Sequence, residues 1–421
     1  MKRSILLVTE RYPYGTAETF IANELPFLAS DFDVTILPLN PLLESRPRRV
    51  PSTVRVALPT GRPRSRLGRQ LHGLWESGCL LTHATRADFH AIFHNPARLF
   101  PAFSYISRVR DAQSAIRALL ENTSFDIVYS YWFDVAALAV LLEREDRNES
   151  FIVISRAHGF DVRPERHGGW FPLRSWAMMA IDRVFVVCDD LRRVITDEFP
   201  QASNKVTVDR LGTLDHGIAT PEEPEHPAGD KHPICVVSVS NIVDVKRLDL
   251  LIDALGELES ITKREIMWTH VGDGPLKRQM QDRARLKLHT VKWFFSGHLP
   301  NNELIEFLRS HHRDFLVNTS DSEAIPVTMM EALSLGIPVI ARRVGGIPEI
   351  VKNGVTGYLT KAQPTALDIA TTILNGVNLP AQTALHLRHD ARQFWEDNFQ
   401  ATTNAKKFAA ALGALLSEPQ R

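Results

Sequence analysis

Three kinds of feature are scarce in this chain of 421 residues. Cysteine is one: Cys79, Cys188 and Cys235 stand far apart, odd in number and in no metal-ligand spacing. They read as buried or free thiols of a reducing, cytoplasmic compartment, which argues against zinc and against a disulfide framework. Net charge is another: 49 Lys and Arg offset 49 Asp and Glu, a balance that argues against general nucleic-acid binding. Long apolar runs are the third. The longest, Val135 to Leu142, cannot span a bilayer. The run in Met1-Lys-Arg-Ser-Ile-Leu-Leu-Val-Thr9 is too short for a signal peptide and reads as a first strand.

What is present is ordinary globular composition, 44% hydrophobic and 23% charged, in a chain longer than a single core usually supports. Short two-sided apolar runs alternate with helical patterns: Ile5 to Thr9, Phe32 to Leu37, Phe125 to Ser130, Phe151 to Ser155, Ile181 to Cys188 and Lys205 to Leu211. A helix is expected over Trp132 to Leu142. Such alternation means an α/β chain with parallel sheets. Thr220-Pro-Glu-Glu-Pro-Glu-His-Pro-Ala-Gly229 is a linker by composition, and a second α/β unit opens at Ile234. The expected division is an amino-terminal Rossmann-like domain over 1–219, a linker over 220–232, a carboxyl-terminal domain over 233–385 and a helical segment over 386–421.

The most informative stretch runs from Asp314 to Pro348. Asp314-Phe-Leu-Val-Asn318 reads as a buried strand, Thr319 to Ala324 as a loop, Pro326 as the start of a helix that Gly336 closes, and Ile337 to Ala341 as the next strand. In a parallel sheet such a loop lies at the carboxyl edge, where ligands bind. Two carboxylates bracket the helix start. Glu331 lies on or near the apolar stripe, so it is expected to be partly buried and to need a partner. On one reading Glu323 holds sugar hydroxyls and Glu331 the ribose hydroxyls of a nucleotide-sugar. On the other, Glu323 is a dipole charge and Glu331 a paired core acid. Spacing alone leaves both open.

Other strand ends supply further candidates. Tyr12-Pro-Tyr-Gly-Thr-Ala-Glu-Thr19 follows the first strand, with Thr16 as a candidate N-cap, and contains a single glycine, Gly15. It reads either as a phosphate or acceptor loop or as a plain turn. Asp31 and Asp33 precede a strand and read as turn residues, not as a metal site. Arg156-Ala-His-Gly-Phe-Asp161 ends another strand, and a lone His such as His158 is most often structural. Lys246 and Arg247 stand near a helix start, where cations are disfavoured unless an anion is present. They read as a diphosphate pair or as one solvated and one snorkelling side chain. Gly272-Asp-Gly-Pro275 and Gly297-His-Leu-Pro300 are two more strand-end loops.

Taken in order, Glu323-Ala-Ile-Pro, Glu331-Ala-Leu, Gly336-Ile-Pro-Val-Ile-Ala and Val344-Gly-Gly-Ile-Pro-Glu-Ile-Val351 resemble the donor-site signature of retaining GT-B glycosyltransferases of family 4, glycosyltransferase group 1. The amino-terminal loop resembles that of an exopolysaccharide or colanic-acid-type subgroup. The resemblance implies two Rossmann-like domains facing across a cleft, with a carboxyl-terminal helix crossing back. It implies transfer of a sugar, with retention, from a UDP- or GDP-sugar to a saccharide acceptor, lipid-linked in that subgroup, without a required metal or other cofactor.

By the same resemblance His158 faces the donor sugar, with Arg156 and Asp161 as its neighbours, and Gly15 and Thr16 approach acceptor or phosphates. Lys246 matches the family's lysine, while Asn241 stands at the usual arginine, with Arg247 as a compensating cation. Gly272, Gly297 and His298 belong to the base-binding edge. The backbone from Ala324 through Ile325 and Pro326 to Val327 meets the diphosphate. Ala324 stands where the family usually has glycine, and a positive φ there would strain it by roughly 1 kcal/mol. Two other readings stay open: an epimerase of the same fold, and a catalytically silent binding protein, which the Asn241 departure would suit.

From Arg46 to Arg69 the chain carries eight arginines and no acid, followed by Leu71, Leu74 and Trp75 and later by Phe89, Phe93, Leu99, Phe100 and Phe103. This is either a solvated loop before ordinary core helices or an interfacial patch for anionic lipid. The second would make the protein peripheral on the inner face of the plasma membrane.

Overall fold

The computed structural model describes residues 2–15, 17–59, 66–76, 78–167, 169–218 and 232–417. The chain separates into two compact units, Met1–Arg210 with Thr402–Arg421, and Leu211–Ala401.

The first unit is built on seven parallel strands: β1 (Arg3–Thr9), β2 (Phe32–Pro38), β3 (Arg55–Val56), β4 (Ile127–Ser130), β5 (Ile152–Ala157), β6 (Arg183–Val186) and β7 (Val206–Val208). Their order is β3-β2-β1-β4-β5-β6-β7. The central strands are buried on both faces, as continuous runs such as Ile5-Leu-Leu-Val8 require. Helix Ala401–Leu415 contributes Phe408, Ala409 and Leu412 to the core formed by Ile5, Leu7, Tyr129 and Phe185.

The second unit has six parallel strands: β8 (Ile234–Val239), β9 (Ile266–Val271), β10 (Lys292–Gly297), β11 (Phe315–Asn318), β12 (Val339–Arg342) and β13 (Gly357–Thr360). They run in the order β10-β9-β8-β11-β12-β13. Helix Leu248–Ile261 buries Leu248, Leu251, Ile252 and Leu255 at helical spacing against this sheet. In each sheet the strand order reverses once, between β1 and β4 and between β8 and β11. Such a reversal opens a crevice beyond the carboxyl ends of the two strands, because their connections leave to opposite sides.

Several local expectations are corrected. The carboxyl-terminal helical stretch is two helices, Ala381–Phe399 and Ala401–Leu415, interrupted at Gln400, which leaves helical geometry. The first helix begins at Ile21 after Phe20, so the expected N-cap at Thr16 is not its cap, and Thr16 itself lies outside the described residues. The helix expected from Trp132 begins at Val135, with Asp134 accepting from the Ala136 N–H at 3.4 Å, which leaves Trp132 and Phe133 in the loop after β4. The edge strands β3 and β13 lack a distinctive apolar pattern and were not anticipated. The linker 220–231 lies outside the described residues. No described helix is long and apolar enough to cross a membrane.

Candidate functional site

In the second unit the two loops at the reversal are tied to each other. The Thr319 hydroxyl donates to the carbonyls of Lys246 (3.2 Å) and Arg247 (2.8 Å), and the Asp321 N–H donates to the Val245 carbonyl (2.8 Å). This brings Lys246 Nζ to 2.5 Å from Glu323 Oε1, an oxygen that also accepts from Ser320 Oγ at 2.8 Å. The Glu323 carbonyl in turn accepts from the Gly346 N–H at 3.2 Å, which fixes the Val344-Gly-Gly loop against the same corner. Glu323 is buried, and only its Oε1 carries these contacts.

Helix Val327–Ser334 starts immediately beyond, with Pro326 at φ −66° as its N-cap. Met329 and Met330 donate their N–H groups to the Pro326 carbonyl at 3.1 and 3.4 Å, while those of Val327 and Thr328 head the helix and, with its dipole, form an anion-binding end. Ala324 is not among the residues with positive φ, so the strain expected if glycine were needed there does not arise. Ile325 is buried beneath the loop. Glu331, within this helix, is 4% exposed. The partner its burial demands is Asn301, the first residue of helix Asn301–Arg309, whose amide donates to Oε1 at 2.5 Å. Burial pushes the Glu331 carboxyl up to about 7, against the lowering effect of that hydrogen bond.

The neighbouring edge is stitched by glycine backbone. Gly272 N–H donates to the Gly297 carbonyl at 2.9 Å, and a Cβ on Gly272, at φ +146°, would lie 1.9 Å from the Ser240 carbonyl oxygen. Beneath it His270, fully buried, has its Nδ1 2.9 Å from Ser238 Oγ and its Nε2 3.2 Å from the Ser240 carbonyl, while Trp268 Nε1 donates to the same Ser238 oxygen. Burial lowers the His270 imidazole to about 4, so it is neutral and donates from Nε2. His298 and Asn241 are exposed on this rim.

Arg247 departs from its expected role. It sits at φ +48° and turns its guanidinium onto Asp249 (3.0 Å) and Asp321 (3.4 Å). Of the expected diphosphate pair, Lys246 is therefore the one joined to Glu323.

In the first unit the strand-end residues behave differently. Arg156 is fully buried, 2.8 Å from Glu24 and 2.9 Å from Asp209, hydrogen bonded to the Tyr129 hydroxyl and stacked on Phe408. Its expected place beside the ligand is corrected: it is a core ion pair, because the side chains of β5 point alternately to the two faces and residue 156 falls on the inner one. Asp161 is likewise buried, accepting from the backbone N–H groups of Phe133 (2.7 Å) and His158 (2.5 Å), which makes it the brace of the turn and not a ligand group. Gly15, at φ +70°, donates its N–H to Ser45 Oγ at 3.0 Å, so that amide is already used.

His158 remains. Its two ring nitrogens are buried with no hydrogen-bond partner among the described residues, Asp161 lying 3.9 Å from Nδ1, and its ring packs against Tyr131 and Trp132. A polar atom left unpaired in a buried place is costly unless something else completes it. Cys188 and Cys235 are both buried. Among the described residues no group of three or more His, Cys, Asp or Glu could hold a metal ion.

Residues 220–394 match the family model for glycosyl transferases group 1. Over 141 residues the chain is 35% identical to a sulfoquinovosyl transferase of Arabidopsis thaliana, a match spanning 32% of this chain and only 24% of that protein. Over 357 residues it is 27% identical to a GDP-mannose-dependent phosphatidylinositol monomannoside mannosyltransferase of Mycolicibacterium smegmatis, covering 78% of this chain and 85% of the relative. A lipopolysaccharide outer core galactosyltransferase structure superposes with a TM-score of 0.69 over 98% of this chain and 99% of its own, at 17% identity. An Anabaena protein solved in complex with UDP-glucose gives 0.61 over 98% and 99%, at 16% identity. Two parallel-sheet Rossmann-like units matching GT-B structures are thus shown, and the match to the glycosyl transferases group 1 model covers residues 220–394.

Sequence reasoning missed Asn301, Thr319 and Ser320. For Asn301 a signal existed: a buried acid needs a donor, and an amide at a neighbouring strand-end helix start can supply one. For the others nothing local marked them.

Proposed function

We propose that this protein transfers a sugar, with retention of anomeric configuration, from a nucleoside-diphosphate sugar to a saccharide acceptor in polysaccharide assembly. The observation that carries the reading is the linked corner of the second sheet, where Lys246 and Glu323 meet beside the start of helix Val327–Ser334 and Glu331 offers an oxygen that Asn301 does not occupy. Glu331 holds the ribose hydroxyls, Glu323 the sugar hydroxyls, and Lys246 with the backbone N–H groups of Ala324, Ile325 and Val327 the diphosphate. Gly272, Gly297 and His298 border the base, and His158 meets the sugar.

In the reaction the bond from the anomeric carbon to the diphosphate breaks, a bond to the acceptor oxygen forms, and the acceptor proton leaves with the diphosphate. Negative charge grows on the departing group, and a fixed ammonium and helix dipole stabilise it without reorganising. No metal is assigned a role in this scheme. The test is a thermal-shift screen against UDP-, GDP- and ADP-sugars, followed by turnover of any that binds. A ligand at about 100 times its dissociation constant adds about 2.7 kcal/mol of stability. No shift and no turnover with all three classes sinks the reading.

The acceptor is proposed to be lipid-linked and the first unit to dock on an anionic membrane face. Trp75 is 87% exposed and Phe93 83%, with Leu71, Leu74, Phe89 and Phe100 also exposed, and Arg46, Arg49 and Arg55, earlier in the chain, are exposed as well. Arg62 and Arg64 lie outside the described residues, as does the side chain of Arg66. Sedimentation with vesicles containing anionic lipid, weakened by salt and by the triple change Arg62→Ser, Arg64→Ser, Arg66→Ser, is the expected outcome. Equal sedimentation of wild type and variant returns the stretch to a solvated loop.

A further inference from the structure

The loops beyond β1 and β4, at the reversal point of the first sheet, carry a cluster that the proposed chemistry leaves unused. Glu18 is 8% exposed and sits at φ +56°, a left-handed conformation unfavourable for a residue with a Cβ. Its carboxylate supplies the compensation. Oε2 accepts from the backbone N–H groups of Arg11 and Tyr12, each at 2.8 Å, and Oε1 from that of Glu10 at 2.8 Å and from the Trp132 indole Nε1 at 2.9 Å. Three successive amides turned onto one anion form an anion nest, and here the protein's own carboxylate fills it. The fourth bond crosses to the loop after β4 and fixes the indole.

That indole lies 4.5 Å, centroid to centroid, from the imidazole of His158, with Tyr131 at 5.0 Å. Neither His158 nitrogen has a hydrogen bond to any of the described residues. An imidazole so placed takes its orientation from packing, and the nearer of these two rings is the one Glu18 holds.

We propose that Glu18 and Trp132 are positioning residues for His158: the Glu18 carboxylate fixes the Trp132 indole, and the indole face sets the plane in which His158 presents a ring nitrogen to the substrate. The inference rests on His158 meeting the sugar as proposed above. Trp132→Phe keeps an aromatic face and loses the N–H that Glu18 accepts. Glu18→Gln keeps the size and turns an NH2 group toward amides that need an acceptor.

Both variants are expected to lower turnover by roughly tenfold to a hundredfold, the range that a displaced reacting group costs, with the donor KM within about twofold of wild type because neither residue belongs to the proposed nucleotide-binding set. The double variant is expected to be no slower than the slower single one, since both act through one link. Wild-type turnover in both single variants overturns the inference, as does a change confined to KM. His158 ring resonances, assigned with His158→Gln, give a readout independent of activity: they are expected to shift in both variants. If the wild type turns over no nucleotide-sugar, the proposed function fails, and these resonances still decide the positioning claim, unmoved signals in both variants overturning it.

Discussion

The carboxyl edges of the two sheets share a topology and differ in what their charges do. At the first edge the ionic groups satisfy one another: Arg156 with Glu24 and Asp209, Asp161 with two backbone amides, Glu18 with its nest. Among the described residues His158 has neither ring nitrogen paired, and the buried Tyr12 and Tyr131 hydroxyls also lack a hydrogen-bond partner. At the second edge the groups are joined but incompletely satisfied, with Lys246 and Ser320 on a single oxygen of Glu323 and Asn301 on a single oxygen of Glu331. One edge is a finished electrostatic assembly, the other an assembly with places open. The proposed division of labour follows from this: the open edge recognises the charged and hydroxylated donor, and the closed one presents a neutral, packed surface.

The largest expected effect breaks the closed edge. Arg156→Met removes a guanidinium that two buried carboxylates share, and uncompensated buried charge costs about 3–5 kcal/mol. Chemical denaturation is expected to show that loss, while nucleotide binding by the folded fraction persists. Unchanged stability would mean that the first edge is not the closed system described. Burial raises Glu24 to about 7 despite Arg156, so the guanidinium only partly offsets the desolvation of that carboxylate.

Next comes the open edge. Lys246→Ala is expected to lower turnover by about 10²–10³-fold, the usual cost of losing one preorganised charge-stabilising group, with a smaller loss in donor affinity, since its partner charge grows only in the transition state. Normal turnover in this variant would remove Lys246 from the site.

Acid sharpens the comparison from beneath the second edge. His270 has its value lowered by burial from 6.5 to about 4. Above pH 6.5 it is neutral in both folded and unfolded chains, and its contribution is fully present. As pH falls toward 4 the unfolded imidazole takes up a proton that the fold refuses, and roughly 3 kcal/mol is lost across that window. His270→Gln is expected to flatten this part of the pH–stability curve, and identical curves would refute the assignment.

The smallest effect concerns Glu331. Its carboxyl is raised from 4.5 to about 7, so its contribution to folding is complete below pH 4.5 and is lost as pH rises through 7. The ionised form is the better acceptor for ribose hydroxyls, so affinity for the uncharged nucleoside is expected to rise between pH 6 and 8, by a few-fold at most. Glu331→Gln should abolish that rise. Asn301→Ala should weaken nucleoside binding by about 1 kcal/mol, the worth of one ordinary hydrogen bond. A pH-independent wild type would detach Glu331 from the ribose.

The sequence made the alternation of strands and helices legible, because parallel strands buried on both faces read as unbroken apolar runs. It also made Glu331's need for a partner legible, because an acid on an apolar stripe cannot stand alone. It could not tell Arg156 from a ligand residue: which face of β5 a side chain takes depends on strand phase, and a one-residue difference reverses it. Nor could it reveal that Arg247 folds back on Asp249, since that turns on a left-handed φ which nothing in the residue type announces. Glu18 shows the same limit, its anchor being spread over Glu10, Arg11, Tyr12 and a tryptophan more than a hundred positions away.

Phe408 stacks on Arg156 and shares the first unit's core with Ala409 and Leu412. The unit whose residues leave the ribosome earliest is thus closed by a helix that leaves late, after the whole of Leu211–Ala401 has been made. The second unit, uninterrupted in sequence, has all its parts before the first does. During synthesis the nascent first unit must wait with an unfilled aromatic slot and the buried Arg156 cluster uncovered, a vulnerable interval of many seconds at about 5–20 residues per second.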